Sequence, residues 1–335
     1  MHRSDSPVSG SKTSRRFPIS PDRAPRALMP ASPFAALRRR LALAGGRPSD
    51  APSESAQGRR GDASYRPARL IESPMAHHPL GQPVPWDAEV GFLDGTQHVE
   101  LVGYVGTAPV MAAVIRAAVR VRRQRLLHAA VVMQRRIVTA RPETLAQLGG
   151  TLDGYDAIAT DVEESPHPIR DLERANAVVD RVRGELEIRA ARDFRANNDG
   201  WLIVDGSLSA SPDWATDPRM IGVVKSHASL PFEGDALECY LTVPAGCRSS
   251  IFEPASSRVA PVYAWGLRLH DFAGRDLFHG LVRIEVTASE SSIAAADTLS
   301  RHLLAERAPL ANDARADRLL YGIHDVERFL RAQGS

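Results

Sequence analysis

The sequence predicts a mixed α/β protein with one large folded domain. Short apolar runs typical of strands, such as Trp201–Asp205, alternate with long amphipathic segments typical of helices, such as Ile169–Arg195. The chain has 335 residues, 43% of them hydrophobic and 24% charged, so it can bury a sizeable core. No apolar stretch approaches the roughly 18 residues of a transmembrane helix, and no signal-peptide pattern follows the basic start. With two cysteines as well, we expect a cytoplasmic protein without a membrane segment.

The pattern of apolar residues predicts the individual elements. Val90–Asp94 and His98–Val105 flank an Asp-Gly pair, which predicts a hairpin. Residues 110–140 are rich in β-branched side chains and favour strands, although a helix over Val110–Arg123 fits nearly as well. The rest of the chain predicts helices over Pro142–Leu148, Ile169–Arg195, Ser291–Arg307 and Leu320–Ala332, and strands over Trp201–Asp205, Met220–Lys225, Val259–Leu269 and Gly280–Val286.

The first 75 residues differ in composition from the rest of the chain. They carry 14 Lys and Arg against 6 Asp and Glu, whereas the remaining residues carry 28 against 34. Because residues 1–75 are also rich in Pro, Ser and Gly, we expect them to be a disordered tail that cannot offset the entropy of ordering. The alternatives are a transit peptide, a nucleic-acid-binding tail, or a translation start at Met75. Residues 76–335 are expected to form the folded domain, whose acidic balance restricts any nucleic-acid site to a local patch.

Two segments deliver an aspartate to the end of an apolar run. Residues 91–96 (GFLDGT) and 202–207 (LIVDGS) place Asp94 and Asp205 directly before a glycine. Aspartates brought together from the ends of adjacent strands form an oxygen-ligand site that suits Mg²⁺ or Mn²⁺. Asp-Gly is also a common turn dipeptide, so the competing interpretation is a pair of ordinary turns.

The helix before the second segment and the strand after it supply further candidates. Glu185 and Glu187 lie about 200° apart on a helix, so at most one of them faces the sheet as a third carboxylate. Lys225, the one lysine outside the first 75 residues, ends a predicted strand and can hold a phosphate as a point charge. His227 follows as a candidate acid or base. The alternatives are a solvated helix face, a surface lysine and an ordinary loop histidine.

A stretch of arginines is the clearest phosphate-facing patch in the sequence. Between Leu101 and Pro142 there are eight arginines and no Asp or Glu, which favours contact with a nucleic-acid backbone. The candidate DNA-binding residues in this stretch are Arg116, Arg120, Arg122, Arg123 and Arg125. In a helix the first, second and fourth of these would share one face. A solvated face or an interface with an acidic partner is the alternative.

The order of these motifs resembles that of the NurA family of DNA nucleases. A strand ending in Asp-Gly is followed by Glu-x-Arg-x-Ala at 187–191, Asp-Gly-Ser-Leu at 205–208 and Gly-Val-Val-Lys at 222–225. Four further blocks lie in the same order at 248–252 (RSSIF), 263–269 (YAWGLRL), 280–285 (GLVRIE) and 313–331. The similarity covers about residues 90–332 and depends on the order of individually weak blocks.

The resemblance implies both a fold and an activity. The implied fold is RNase H-like, a mixed sheet flanked by helices. The implied activity is that of a Mn²⁺- or Mg²⁺-dependent deoxyribonuclease, an exonuclease or endonuclease that acts on DNA ends in repair, end processing or defence. A homodimer and a partnership with a HerA-type hexameric ATPase are implied as well.

The resemblance also implies site residues. Asp94 and Asp205 match the metal-binding aspartates of the family, and Glu187 matches the helix glutamate, with Glu185 as the alternative. Lys225 is expected to offset charge on the phosphate in a two-metal hydrolysis.

One departure from the family concerns the C-terminal helix, where members often carry a histidine. Glu327 aligns with that position here and is expected to be a metal ligand, while His324 lies one turn earlier as a further candidate. The departure supports the alternative of a catalytically silent, DNA-binding adaptor for a translocase. A third interpretation is an unrelated α/β protein with a deep pocket for a small phosphorylated molecule, which the absence of a phosphate-binding loop disfavours.

Overall fold

Runs rich in alanine and β-branched residues form one large sheet, and segments with an apolar stripe form the helices. The computed structural model describes residues 33–48, 64–124, 126–161, 165–227, 229–255, 260–273, 277–310 and 316–333. The strands are β1 (Arg47–Pro48), β2 (Ser64–Tyr65), β3 (Arg69–Leu70), β4 (His77–Pro79), β5 (Val90–Val105), β6 (Ala108–Arg123), β7 (Leu126–Ala140), β8 (Asp156–Ala159), β9 (Trp201–Asp205), β10 (Met220–Val224), β11 (Ser229–Leu230), β12 (Cys247–Ser249), β13 (Phe252–Glu253), β14 (Val262–Arg268) and β15 (Leu281–Thr287). The helices are α1 (Ala35–Leu43), α2 (Pro142–Leu148), α3 (Pro168–Arg195), α4 (Pro212–Thr216), α5 (Gly234–Leu241), α6 (Glu290–Ala305) and α7 (Tyr321–Ala332).

The strand order of the central sheet identifies the fold class. β5, β6 and β7 form an antiparallel meander, β9 runs parallel to β5 on its other side, and β10 runs parallel to β9. With the short edge strand β8 set aside, the five strands stand in the order third, second, first, fourth, fifth, which is the order of the RNase H-like fold. β15 and then β14 extend the sheet in antiparallel pairing beyond β10. The predicted RNase H-like mixed sheet flanked by helices is confirmed.

Helices cover both faces of this sheet. Side chains of β5 alternate between the faces, so Leu93 shares a core with Val182 of α3, whereas Phe92 shares a core with Ile323 of α7. The predicted helices over α2, α3, α6 and α7 are confirmed with shifts of one or two residues at their ends, and residues 110–140 form strands as the pattern favours. Within the described ranges, no helix combines the length and the apolar character needed to cross a membrane.

The predicted hairpin at Asp94-Gly95 is wrong. Both residues lie inside β5, which pairs with β6 without interruption from Val90 to Leu101. An Asp-Gly pair permits a turn but does not require one. Here pairing with the long strand β6 keeps the segment extended. The continuous strand matters for function because it keeps Asp94 in the middle of the sheet.

Part of the predicted disordered tail is ordered. Phe34, directly before α1, and Leu37 and Leu41 of α1 are buried against the end of β5 and the beginning of β6. β1 pairs with β5, β2 with β11 and β3 with β13. The segment has too few apolar residues for α1 to be predicted, although two buried leucines and the preceding Phe34 are enough to dock this nine-residue helix. The prediction is therefore wrong for residues 33–48 and 64–75, and residues 1–32 and 49–63 lie outside the described residues.

Candidate active site

Asp94 and Asp205 lie side by side on two parallel strands. Leu93 pairs with Val204, so the two aspartates occupy the next positions on β5 and β9, with α-carbons about 5 Å apart by the usual strand spacing. Asp94 is only 8% exposed, and its Oδ1 accepts a hydrogen bond of 2.8 Å from the Gly95 amide. Lys225 Nζ donates to Asp205 Oδ2 at 2.7 Å, so the end of β10 brings one cation to the aspartate pair.

The electrostatics of this pair are unusual for a folded domain. Burial and the neighbouring Asp205 carboxylate raise the pKa of Asp94 well above its usual range, and Glu187 raises it further. Lys225 and the Gly95 amide act in the opposite direction without cancelling these effects. The carboxylates therefore carry more negative charge than the local cations offset, and a bound divalent cation would stabilise their ionised forms.

Glu187 approaches the same point from the other face of the sheet. A Cβ built on Gly95 would lie 2.9 Å from both Cγ and Cδ of Glu187 and closer still to Oε1. Gly95 thus gives the Glu187 carboxylate the space that any side chain would fill. Glu187 is buried and accepts a hydrogen bond of 2.8 Å from Arg183, and burial raises its pKa while Arg183 lowers it. Glu185 is exposed and pairs with Arg181, so Glu187 is the glutamate that faces the sheet.

The carboxylates do not form a ready-made metal cluster. Across the residues described, no three His, Cys, Asp or Glu side chains are close enough together to hold an ion. Strand alternation explains this, because Asp94 and Asp205 point towards α7 while Gly95 and Glu187 lie on the α3 side. The two aspartates fit a hard divalent cation by donor type and by their excess charge. The metal-ligand role of Glu187 stays a prediction.

The predicted arginine patch lies on strands, and acidic side chains occupy much of it. Arg120 is paired with Asp325 of α7, and Arg122 is paired with Glu306 at the end of α6. Arg123 Nε lies 3.2 Å from Glu89 Oε1. The first two pairs attach β6 to α7 and to the end of α6, whereas the Arg123 pair is exposed. The DNA-binding roles of these arginines stay predictions. Arg125 lies outside the described residues.

Arg116 differs from its neighbours in having a neutral partner. Its Nε donates to Gln134 Oε1 at 2.8 Å, and no acidic side chain among the described residues contacts either Arg116 or Arg136. Burial and the nearby Arg136 guanidinium lower the pKa of Arg116. In register, Arg116 stands opposite Thr96, two positions beyond Asp94 on the same face, and Arg136 stands opposite Val114. This leaves a pair of like charges on the same face of the sheet as Asp94.

Comparison with known proteins finds likeness in structure only. No family model matches the chain, and no curated protein matches it. Among solved structures, the NurA nuclease from Sulfolobus solfataricus is similar with a TM-score of 0.44 and 9% identity, over 75% of this chain and 83% of that chain. The catalytic domain of human Endonuclease V is similar with a TM-score of 0.35 and 14% identity, over 91% of this chain and 97% of that chain.

The remaining predicted residues have partners other than the aspartates. His227 Nε2 is bonded to the Leu281 carbonyl at 2.9 Å, and burial lowers the pKa of His227 to about 4. Glu327 pairs with Arg331 at 2.5 Å and lies 4.0 Å from His324, all on α7. No contact within the described part of the chain joins Glu327 or His324 to Asp94. The roles of Glu327 and His324 therefore depend on the resemblance alone, and the acid-or-base role of His227 stays a prediction from its place after Lys225.

The structure also reveals polar residues that the sequence analysis gave no role. Glu285 of β15 is 1% exposed and accepts hydrogen bonds from Ser207 Oγ at 2.7 Å, from the Leu208 amide at 2.9 Å and from Arg283 Nε. This network ties the segment after Asp205 to the neighbouring strands. The signal was present in the sequence, since Arg283 and Glu285 alternate with Val and Ile in a strand that is otherwise apolar.

Proposed function

We propose that the chain is a divalent-cation-dependent deoxyribonuclease. The observation that carries the proposal is the aspartate pair on β5 and β9, in which a buried Asp94 with a raised pKa lies beside Asp205 and its partner Lys225. Buried carboxylates whose charge is not offset are expensive for a fold, and they are retained where a cation or a reaction uses them. The RNase H-like strand order puts this pair at the centre of the sheet.

Each residue has a role in the proposed reaction. Asp94 and Asp205 would hold the cation, which when bound supplies Lewis-acid polarisation of a phosphoryl oxygen. Lys225 orients Asp205 through its hydrogen bond and brings positive charge towards the scissile phosphate. Glu187 adds charge from the opposite face, and Arg183 balances it.

The DNA backbone would lie across the exposed side of β6 and β7. Arg116 and Arg136 lie on the Asp94 face of the sheet, and acidic partners do not neutralise them within the described residues. Phosphate contacts from two guanidinium groups give salt-sensitive binding that does not depend on sequence. The proposed substrate is therefore a nucleic-acid strand bound by its backbone, and the resemblance makes DNA the nucleic acid that we propose.

A cleavage assay on the full chain tests the proposal. End-labelled linear DNA is incubated with Mn²⁺, Mg²⁺ or EDTA, using the wild type, Asp94→Asn, Asp205→Asn and the matched control Asp193→Asn, an exposed aspartate on α3. We expect cation-dependent degradation by the wild type and the control. Each active-site variant should lose on the order of 10²–10³-fold in rate, the usual effect of removing one charge-stabilising group. Full activity of Asp205→Asn would overturn the proposal.

A second function, a DNA-end adaptor without catalysis, is favoured by two observations. Lys225 and Arg183 already neutralise Asp205 and Glu187, and the described residues contain no closed ligand cluster. An adaptor would bind DNA through Arg116 and Arg136 and take up no Mn²⁺ in titration calorimetry. The nuclease would bind Mn²⁺ with an affinity that Asp94→Asn removes.

Three further proposals, on the partner, the oligomeric state and the preferred cation, depend on the resemblance alone. A HerA-type hexameric ATPase as partner, a homodimer, and Mn²⁺ in preference to Mg²⁺ are predictions from the family pattern. Sedimentation of the purified chain alone and with such an ATPase tests the first two. The cleavage assay in the two cations tests the third.

A further inference from the structure

The face of β5 that carries Asp94 continues along the strand to an exposed histidine. Asp94, Thr96 and His98 alternate onto the same face, because the pairing of β5 with β6 is unbroken from Val90 to Leu101. At about 3.3 Å per residue, the α-carbons of Asp94 and His98 are about 13 Å apart. Asp94 is buried, whereas His98 is exposed. The strand therefore leads from the aspartate pair to an exposed aromatic ring.

The imidazole of His98 is held in place by contacts at one face and at one edge. The ring stacks on Phe34, with 5.6 Å between the ring centroids and 5° between the planes. Its Nε2 is hydrogen-bonded to Glu100 Oε1 at 2.7 Å. Phe34 is buried directly before α1, and Glu100 also pairs with Arg38 of α1. The side chain of His98 is nevertheless 53% exposed, so the face of the ring away from Phe34 is open to solvent.

Two guanidinium groups lie near this ring on the same face of the sheet. His98 stands opposite Val114 of β6, and Val114 stands opposite Arg136 of β7, so His98 and Arg136 are about 10 Å apart by the usual strand spacing. Arg116 is the next residue of β6 on this face, and its side chain donates to Gln134. The described residues supply no acidic partner to either arginine. An exposed ring beside cations of this kind is the combination that binds single strands, since bases stack on the ring while the phosphates contact the cations.

We infer that His98 is the stacking platform for an unpaired base of the bound strand, an inference that rests on the proposed nuclease function. A ring already fixed by Phe34 and Glu100 loses little freedom when a base stacks on it. Every base has a face that can stack, so the platform does not read sequence. A base inside a duplex has both faces covered by its neighbours, so only an unpaired or terminal base reaches the ring. The platform would therefore decide which part of a strand lies over Asp94.

Equilibrium binding in EDTA tests the platform without requiring catalysis. A short oligothymidylate and a strand of the same length that lacks every base are compared by fluorescence anisotropy at one salt concentration. We expect the wild type to bind the strand with bases about tenfold more tightly, which corresponds to about 1.4 kcal/mol and lies in the range for one base stacked on an aromatic side chain. His98→Leu keeps an apolar cover over Phe34 but has no ring, so it should bring this ratio near one. His98→Phe restores a ring and should keep the ratio, and both variants should bind the abasic strand as the wild type does.

A second exposed histidine provides the matched control. His128 of β7 stands opposite Val121, whose side chain packs in the core on the α3 side, so His128 faces away from Asp94 and His128→Leu should keep the tenfold ratio. Equal affinity of the wild type for the two strands would overturn the inference, even if cation-dependent cleavage is observed. Loss of the ratio in His98→Phe or in the control would overturn it as well. A ratio that His98→Leu alone removes, with no cleavage in any cation, would support the platform and count against the nuclease.

Discussion

Replacing Gly95 with alanine should displace Glu187, and the structure allows the cost to be estimated. The new Cβ would lie 2.9 Å from two carbons of Glu187, whereas carbon atoms pack best at about 3.5–4.0 Å. Overpacking of this kind costs about 1–3 kcal/mol. Alanine is more favourable than glycine in a strand interior by about 0.5–1 kcal/mol, which offsets part of this cost. We therefore expect Gly95→Ala to lower the free energy of unfolding by about 1–2 kcal/mol.

A double-mutant cycle in urea identifies the cause. Glu187→Ala removes the clash, so adding Gly95→Ala to that variant should leave stability unchanged or raise it, with a coupling energy of about 2 kcal/mol between the two positions. Gly184→Ala is the matched control, because a Cβ there meets nothing within 4 Å and should stabilise α3 by about 0.5–1 kcal/mol. Additive effects of Gly95→Ala and Glu187→Ala would refute the close approach of Glu187 to the strand.

Four further predictions follow from charge and packing. Asp94→Asn should be more stable than the wild type, in the absence of a divalent cation, at pH values above about 4. The reason is that folding raises the pKa of Asp94, so the wild type loses stability as this carboxyl ionises. Thermal melts of both proteins from about pH 4 to 8 check this, and identical profiles would contradict it. His227→Gln should flatten the loss of stability that the wild type shows as the pH falls from 6.5 towards 4, worth on the order of 3 kcal/mol, since only the unfolded state takes up the His227 proton in that window. Arg116→Gln should lower the slope of log affinity against log salt for DNA by about one, and an unchanged slope would remove Arg116 from the interface. Leu37→Ala should cost about 2–5 kcal/mol in urea unfolding if α1 belongs to the core, and a change below about 0.5 kcal/mol would show that it does not.

Local patterns were enough to predict most of the elements. The β-branched composition of residues 110–140 favoured strands and the apolar stripe of the long segment over α3 favoured a helix, and the structure has both. The same patterns failed at Asp94-Gly95 and at α1. In the first case, pairing with β6 overrode a turn signal. In the second, the apolar face of a short helix was too small to stand out from a polar tail.

The sequence by itself determined which side chains carry unusual chemistry: two aspartates at the ends of apolar runs, a single lysine in residues 76–335, and an arginine stretch without acids. Only the tertiary structure decided which of them share a site. Sheet register brings Asp94, Asp205 and Lys225 together. Helix packing distinguishes the arginines, because Arg120 and Arg122 meet acidic partners on α7 and at the end of α6, whereas Arg116 meets Gln134. The physical reason is that charge type is a property of the residue, whereas burial, pairing and pKa depend on neighbours that are distant in sequence.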